Sequence, residues 1–300
     1  MSQVVVYVNP VAGGGRASRV WRRLTDCEAR LGAVRTVIPE RVRDAGAALD
    51  EALGPGVTRL IAIGGDGTAN LVANHLLAKG DAHRIAFGLV PAGTGSDLAR
   101  TLGLPRSPAA AWSLARSAEP KRMDAIKVVR DDGLTRFAIN IASVGISGAV
   151  DLATSAIARR SALSYLRVSV QTLLRYRPVA CRLLLDGNLI FDGPFFVTAF
   201  ANGRCFGGGM RVAPDACLDD GLADVVVVPP VPRWALPLRL PQFLRGRHVR
   251  LPMVCTARGR SLRIEPHDSD RIPPFDLDGE VLAAGAATLT LLPKVLRVAV

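Results

Sequence analysis

Three short stretches hold the residues best suited to gripping a phosphate: Asn9 to Arg16 (NPVAGGGR), Ile63 to Thr68 (IGGDGT) and Pro91 to Asp97 (PAGTGSD). Glycine lets a backbone approach a ligand closely, and the amides that open a helix attract anions. In the second stretch the Asp66 carboxylate would repel a phosphate unless a Mg2+ lay between them. By itself, Gly64-Gly65-Asp66-Gly67-Thr68 also reads as an ordinary glycine turn with an aspartate cap. Three such stretches, each after an apolar run and each beside Thr, Asp or Arg, are hard to explain as turns alone. None has the GxxxxGK[ST] pattern or the GxGxxG fingerprint, so neither a Walker ATPase nor a dinucleotide oxidoreductase is supported.

The elements that must position these residues alternate in type. Gln3 to Val8 predicts a strand, and Val20, Leu24, Cys27 and Leu31 recur on one face of a predicted helix. Ala33 to Ile38 predicts a strand, Asp44 to Leu53 a helix, and Leu60 to Ile63 a short buried strand. Ala69, Val72, Ala73, Leu76 and Leu77 then form a helical stripe ended by Gly80. Ile85 to Val90 predicts a fourth strand, and Ser107-Pro108 an N-cap and first-turn proline for a helix through Leu114. Apolar strands separated by helices imply a parallel sheet covered on both faces, with ligands at the carboxyl ends of its strands. From about Asp124 the period changes to short strands, including Ala125–Val129, Phe137–Val144, Val179–Leu185, Phe195–Ala201, Val225–Val228 and Thr288–Leu292. These predict a second, mostly antiparallel domain, interrupted by one helical insertion over Ala149 to Tyr176. Val231 to Arg250, basic and proline-spaced, looks least able to fold.

Composition narrows the class. With 300 residues and 49% hydrophobic content the chain can build two cores, which excludes disorder as its main state. The net charge of +12 is carried almost wholly by arginine, since lysine occurs only at 79, 121, 127 and 294. Guanidinium suits phosphates and anionic surfaces, although a GC-rich genome would produce the same bias. Mean hydropathy is +0.25, yet the longest uncharged run, Phe137 to Val150, falls short of the roughly twenty residues of a spanning helix. The opening MSQVVVYVNP lacks the basic start and long apolar core of a signal peptide. Five separated cysteines and four scattered histidines argue against a disulfide framework or a zinc site. Aromatics are only 5% and no module of aromatics interleaved with basic residues is visible, which argues against nucleic acid as a partner. These features predict a cytoplasmic chain.

Together with Asp124, Phe206 to Pro214 (FGGGMRVAP), Leu218 to Gly221 (LDDG) and Asp278-Gly279-Glu280, the three loops resemble the diacylglycerol kinase catalytic family, which includes sphingosine and ceramide kinases and soluble bacterial lipid kinases. The resemblance runs through nearly the whole chain. It implies a doubly wound α/β nucleotide-binding domain over 1–124, rejoined by about 293–300, and a β-sandwich lipid-substrate domain over 125–292. It further implies an ATP- and Mg2+-dependent kinase acting on the hydroxyl of diacylglycerol or a related lipid in phospholipid metabolism. Asn9, Gly13, Gly14, Gly15, Arg16, Gly64, Gly65, Asp66, Gly67, Thr68 and Thr94 match the family's ATP-phosphate loops. Asp66, Asp97 and Asp124 match its carboxylate network, which holds Mg2+ partly through water, and Glu280 matches its general base. Cys217 and Leu222 (carbonyls) and Asp220 (carboxylate) match a second, structural Mg2+ site of bacterial members. Phosphoryl transfer to an alcohol makes the same demands: phosphate positioning, neutralised charge and a base.

Three positions depart from the family pattern. Leu71 stands where a glutamate usually follows, Pro39 replaces an ATP-contacting threonine, and Ser96 stands where asparagine is commoner. The alternative is a NAD kinase-like enzyme with a soluble nucleotide acceptor. A lipid acceptor would bring transient contact with a membrane surface, placing the protein peripherally at the inner membrane. Candidates for that contact are Arg159, Arg160, Arg167, Arg175 and Arg177, and the stretch from Arg233 and Trp234 through Arg250. A homodimer stays open.

Overall fold

Strands with apolar side chains on both faces need cover on both faces, and the N-terminal unit supplies it. In this computed structural model, which describes residues 3–27, 34–93, 95–155, 162–268, 274–283 and 285–300, the chain begins with β1 (Gln3–Val8), α1 (Arg16–Cys27), β2 (Val34–Val37), α2 (Ala45–Ala52), β3 (Val57–Gly64), α3 (Asp66–Ala78), β4 (Ala86–Pro91), α4 (Asp97–Thr101) and α5 (Pro108–Ser117). The expected Leu31, Ala33, Thr94, Arg159 and Arg160 lie outside the described residues. The strands pair in parallel in the order β2-β1-β3-β4. Val20, Trp21 and Leu24 of α1 and Trp112 of α5 pack over Val6, Ile61, Ile63 and Val90. The two indoles meet edge to face, with centroids 5.6 Å apart. Ser107 caps α5, its Oγ accepting from the Ala110 amide at 3.5 Å.

The second unit follows with β5 (Pro120–Arg130), β6 (Thr135–Ala138), β7 (Ile141–Gly145), α6 (Ile146–Ser155), α7 (Ala162–Arg175), β8 (Val179–Leu185), β9 (Asn188–Phe195), β10 (Val197–Ala201), β11 (Ala223–Val228), α8 (Leu236–Leu244), β12 (Cys255–Gly259), β13 (Ser261–Pro266), β14 (Phe275–Leu277), β15 (Glu280–Leu282) and β16 (Ala287–Ala299). One layer runs β12-β11-β10-β7-β14-β15. The start of β16 pairs with β13, which pairs with β8 and so with β9. Side chains of both layers share one core, Val144, Phe200 and Val225 on one side and Leu183, Leu262 and Leu289 on the other. This is the β-sandwich the resemblance implied.

The chain divides into residues 1–124 with 294–300, and residues 125–293. The return to the first unit is made by β16, where Arg297 and Val298 pair in parallel with Ala86 and Phe87 of β4.

Several stretches differ from the sequence reading. The strands expected over Phe137–Val144 and Phe195–Ala201 are each divided, between β6 and β7 and between β9 and β10. The single insertion expected over 149–176 is two helices, α6 and α7. The strand expected over Thr288–Leu292 is the thirteen-residue β16. The stretch 231–250 folds as α8 between two 3-10 turns, because Phe243 and Val249 pack onto Val212 and Ala213. Pro237 does not prevent this, since the first turn of a helix needs no amide donor there.

Trp112 is fully buried. Replacing it with alanine empties the space between α5 and the parallel sheet, and denaturant unfolding is expected to show a loss of about 3–5 kcal/mol.

Candidate active site

The structure brings the three glycine stretches together at the carboxyl ends of β1, β3 and β4. The Asn9 amide bonds to the Ile63 carbonyl at 3.2 Å, and Asn9 Nδ2 donates to Thr68 Oγ1 at 2.9 Å. Gly13, at φ +57°, lies so close to the Ala92 carbonyl that a Cβ would collide with it. Gly65 and Gly93 touch backbone to backbone, with no room for a side chain on either. The amides of Ala92 and Gly93 are spent on the Gly64 carbonyl, at 2.7 and 3.2 Å. Donors suited to an anion include those opening α3, at Asp66, Gly67 and Thr68, which a helix leaves without internal acceptors. Arg16 is exposed at the first residue of α1.

Asp66 does something its sequence position did not reveal. Its Oδ2 accepts from the Asp97 amide and its Oδ1 from the Leu98 amide, both at 3.0 Å. The carboxylate thus clasps the second loop to the first turn of α4. Burial pushes the Asp66 carboxyl up, the two amides pull it down, and the neighbouring Asp97 charge adds a further push. Asp97 is itself buried and takes Arg100 Nη1 on Oδ1 at 2.6 Å. Asp124 is wholly buried, and its Oδ1 accepts from the Lys294 amide at 2.7 Å, where the chain rejoins the first unit.

Asp66 and Asp97 carry the hard oxygen donors that Mg2+ takes, and a cation would relieve the repulsion between them, so these residues fit that ion. Among the described residues no three His, Cys, Asp or Glu side chains gather as a metal-holding group. A Mg2+ here would complete its shell with water or phosphate oxygens, as that ion commonly does.

In the second unit, Asp278 and Gly279 form the two-residue turn of the β14–β15 hairpin, with φ of 57° and 89°. Asp278 holds the turn in place, since its carboxylate accepts from the amides of Ile139, Asn140 and Ile141 at 2.7 to 3.1 Å. Glu280, the first residue of β15, is exposed. Behind it lies a group the sequence reading missed. Asp276 is buried, accepts from the Gly279 amide at 2.7 Å and from Ser143 Oγ at 3.1 Å, and is hydrogen-bonded to Asp151 of α6. Two carboxyl groups can share that bond only if one keeps its proton. Burial, then the Asp151 charge, pushes Asp276 well above the usual carboxyl range, so the pair keeps a proton. Asp151 is also raised, first by burial and then by the Glu280 charge. The available signal was the spacing of acids at 276, 278 and 280.

Asp220 accepts from the Leu222 amide on Oδ1 at 3.0 Å, and the Arg258 guanidinium takes its Oδ2. Arg258 Nε also lies 3.5 Å from Asp224 Oδ2. The Asp220 carboxylate of the expected set Cys217, Asp220 and Leu222 is thus shared between a backbone amide and a guanidinium.

Two family models cover the chain: the diacylglycerol kinase catalytic domain matches residues 3–128, and the YegS C-terminal NAD kinase beta sandwich-like domain matches residues 140–300. The chain belongs to the diacylglycerol kinase family, in its YegS-like branch of lipid kinases. It is 32% identical over 253 residues to the "Probable lipid kinase YegS-like" protein of Stenotrophomonas maltophilia, covering 82% of this chain and 80% of that one. It is 29% identical over 303 residues to the diacylglycerol kinase of Mycobacterium tuberculosis, covering 98% and 96%. In fold it is similar to a crystal structure of a diacylglycerol kinase from Bacillus anthracis, with TM-score 0.74 at 21% identity over 99% of this chain and 96% of that one. An Archaeoglobus fulgidus NAD kinase solved with ATP shares the fold more distantly, with TM-score 0.52 at 14% identity over 99% and 92%.

In this YegS-like lipid kinase the buried acids carry a pH signature. A carboxyl raised in the native state keeps a proton that the unfolded chain gives up, so stability falls as pH rises above about 4 and through the native titration. Denaturation midpoints of the native protein are expected to decline across that range. Asp276→Asn, which keeps a neutral partner for Asp151, is expected to decline less steeply. Parallel pH curves for the two proteins would show that Asp276 is ionised in the fold.

Proposed function

We propose that this lipid kinase transfers the γ-phosphoryl group of ATP, with Mg2+, to the hydroxyl of diacylglycerol or a related lipid, using Glu280 as general base. The observation that carries the reading is the contact of the glycine loops after β1, β3 and β4, clasped by Asp66 so that the amides opening α3 form one anion-binding corner. Family membership supports the kinase chemistry and ATP as donor.

In this mechanism the α3 amides of Gly67 and Thr68 and the Arg16 guanidinium bind phosphate oxygens. Asn9 and Thr68 fix the first loop against the second through their side-chain hydrogen bond. Asp97 and Asp124, with Asp66 behind them, are the residues that would hold Mg2+, directly or through water. When bound, the ion neutralises charge on the transferring phosphoryl group. Thr94, outside the described residues, is proposed as a further phosphate contact. Glu280 takes the proton of the acceptor hydroxyl, and its exposure leaves it accessible. The hairpin that carries it is pinned by three amides on Asp278, so its backbone does not need to be ordered at the moment of reaction.

Labelled ATP with a panel of lipids in mixed micelles tests this reading. Glu280→Gln is expected to lower turnover by about 10²–10⁴-fold while ATP binding is retained, the usual worth of base catalysis. Equal turnover in the variant would remove Glu280 from that role. Phosphorylation of NAD, with no lipid accepted, would favour the soluble-nucleotide alternative.

A further inference from the structure

Between Asp224 and Glu265 the sequence carries eight arginines and no acidic residue. The middle of this stretch is α8 with the 3-10 turn Arg233–Ala235 before it and His248–Arg250 after it. One face of the segment is anchored. Phe243 stacks on the buried His248 with ring centroids 4.2 Å apart, and His248 Nε2 lies 3.1 Å from the Val212 carbonyl. The Arg211 amide bonds to the Phe243 carbonyl at 3.2 Å, and Ala235 is buried.

The opposite face has no such cover. Trp234 is 75% exposed and Leu238 68% exposed, and Pro241 is exposed as well. Trp234 lies in the turn just before α8, and its spacing of four and then three residues to Leu238 and Pro241 continues one side of the helix back into that turn. Leu244 continues this face at 48% exposure, and Arg245, Arg247 and Arg250 stand exposed just beyond it. A tryptophan and a leucine held in water beside a cluster of cations cost free energy unless something apolar and anionic covers them. A bilayer interface has this combination, an acyl boundary for the apolar ridge and lipid phosphates for guanidinium. Tryptophan sits well at that depth because its ring is apolar and its N–H is polar.

We propose that the ridge Trp234–Leu238–Pro241–Leu244, with Arg245, Arg247 and Arg250 around it, docks this protein on an anionic lipid bilayer. The inference deepens the lipid-kinase reading and rests on it for the choice of partner. A second copy of the chain fits the ridge less well, since two copies of the same arginine cluster would be brought together.

The test is co-sedimentation of the full chain with vesicles of phosphatidylglycerol and phosphatidylcholine in equal parts, and with pure phosphatidylcholine vesicles. The native protein is expected to bind the anionic vesicles preferentially, and added salt is expected to weaken binding. Trp234→Ser with Leu238→Ser, both at exposed positions, is expected to lower vesicle partition about tenfold or more. Arg245→Gln with Arg247→Gln is expected to abolish the preference for anionic vesicles. All variants are expected to keep native turnover on lipid dispersed in detergent micelles. Unchanged vesicle binding in the serine variant would overturn the proposal. So would a native dimer that the serine substitutions dissociate, with no vesicle binding by either protein. Vesicle binding that depends on the ridge, in a protein that phosphorylates no lipid, would uphold the docking surface and reject the kinase reading instead.

Discussion

A carboxylate placed between two backbone amides organises the nucleotide-type unit. Asp66 opens α3 and accepts from Asp97 and Leu98, thirty-one and thirty-two residues further on. Hydrogen bonds to a charged acceptor contribute about 1.5–3 kcal/mol each, enough to offset much of the cost of partly burying the acid. The clasp works only because Gly65 and Gly93 let the two backbones touch, and any side chain at either would hold the loops apart. With the loops joined, the amides at the head of α3 stand at the corner proposed for the phosphates. The metal requirement inferred from Asp66 alone is therefore softened, since much of its charge is answered by the protein itself.

The same device recurs. Asp124 accepts from the Lys294 amide, Asp278 from three amides at 139–141, Asp276 from Gly279, and Asp220 from Leu222. A chain with 26 acids against 38 basic residues uses many of its acids as staples for loops rather than as free charges. Glu280 is exposed and stands on a hairpin whose shape is set by two of those staples. In the proposed reaction, a base on a pre-set turn costs less ordering entropy than one on a loop free to move.

The β-sandwich unit buries much of its apolar surface in a shared core and exposes part of it, including the ridge at Trp234, Leu238 and Leu244. Phe200, Phe275 and Leu289 are buried between the layers, whereas Trp234 and Leu238 face outward on a helix anchored through Phe243 and His248. The anchor matters because a short proline-containing segment would not hold a helix in water without packing on one side. Among the described residues no helix is long and apolar enough to cross a membrane.

Much of this was written in local pattern. The alternation of apolar runs with helical stripes located β1 to β4 and their helices, because periods of two and 3.6 residues are properties of neighbours in the chain. Glycine clusters marked the three loops for the same reason, and the Asp278-Gly279 pair marked its hairpin. What the chain order could not say is which acid answers which amide. The Asp278 bonds span 137 to 139 residues and the Asp124 bond 170, and no repeat length encodes a contact across such distances. The proton shared by Asp151 and Asp276 was hidden likewise, since burial and a neighbouring charge arise only when α6 lies against the hairpin. The stretch 231–250 looked unfoldable for a related reason: its helix exists because one face is covered, and only the packed molecule determines which face that is.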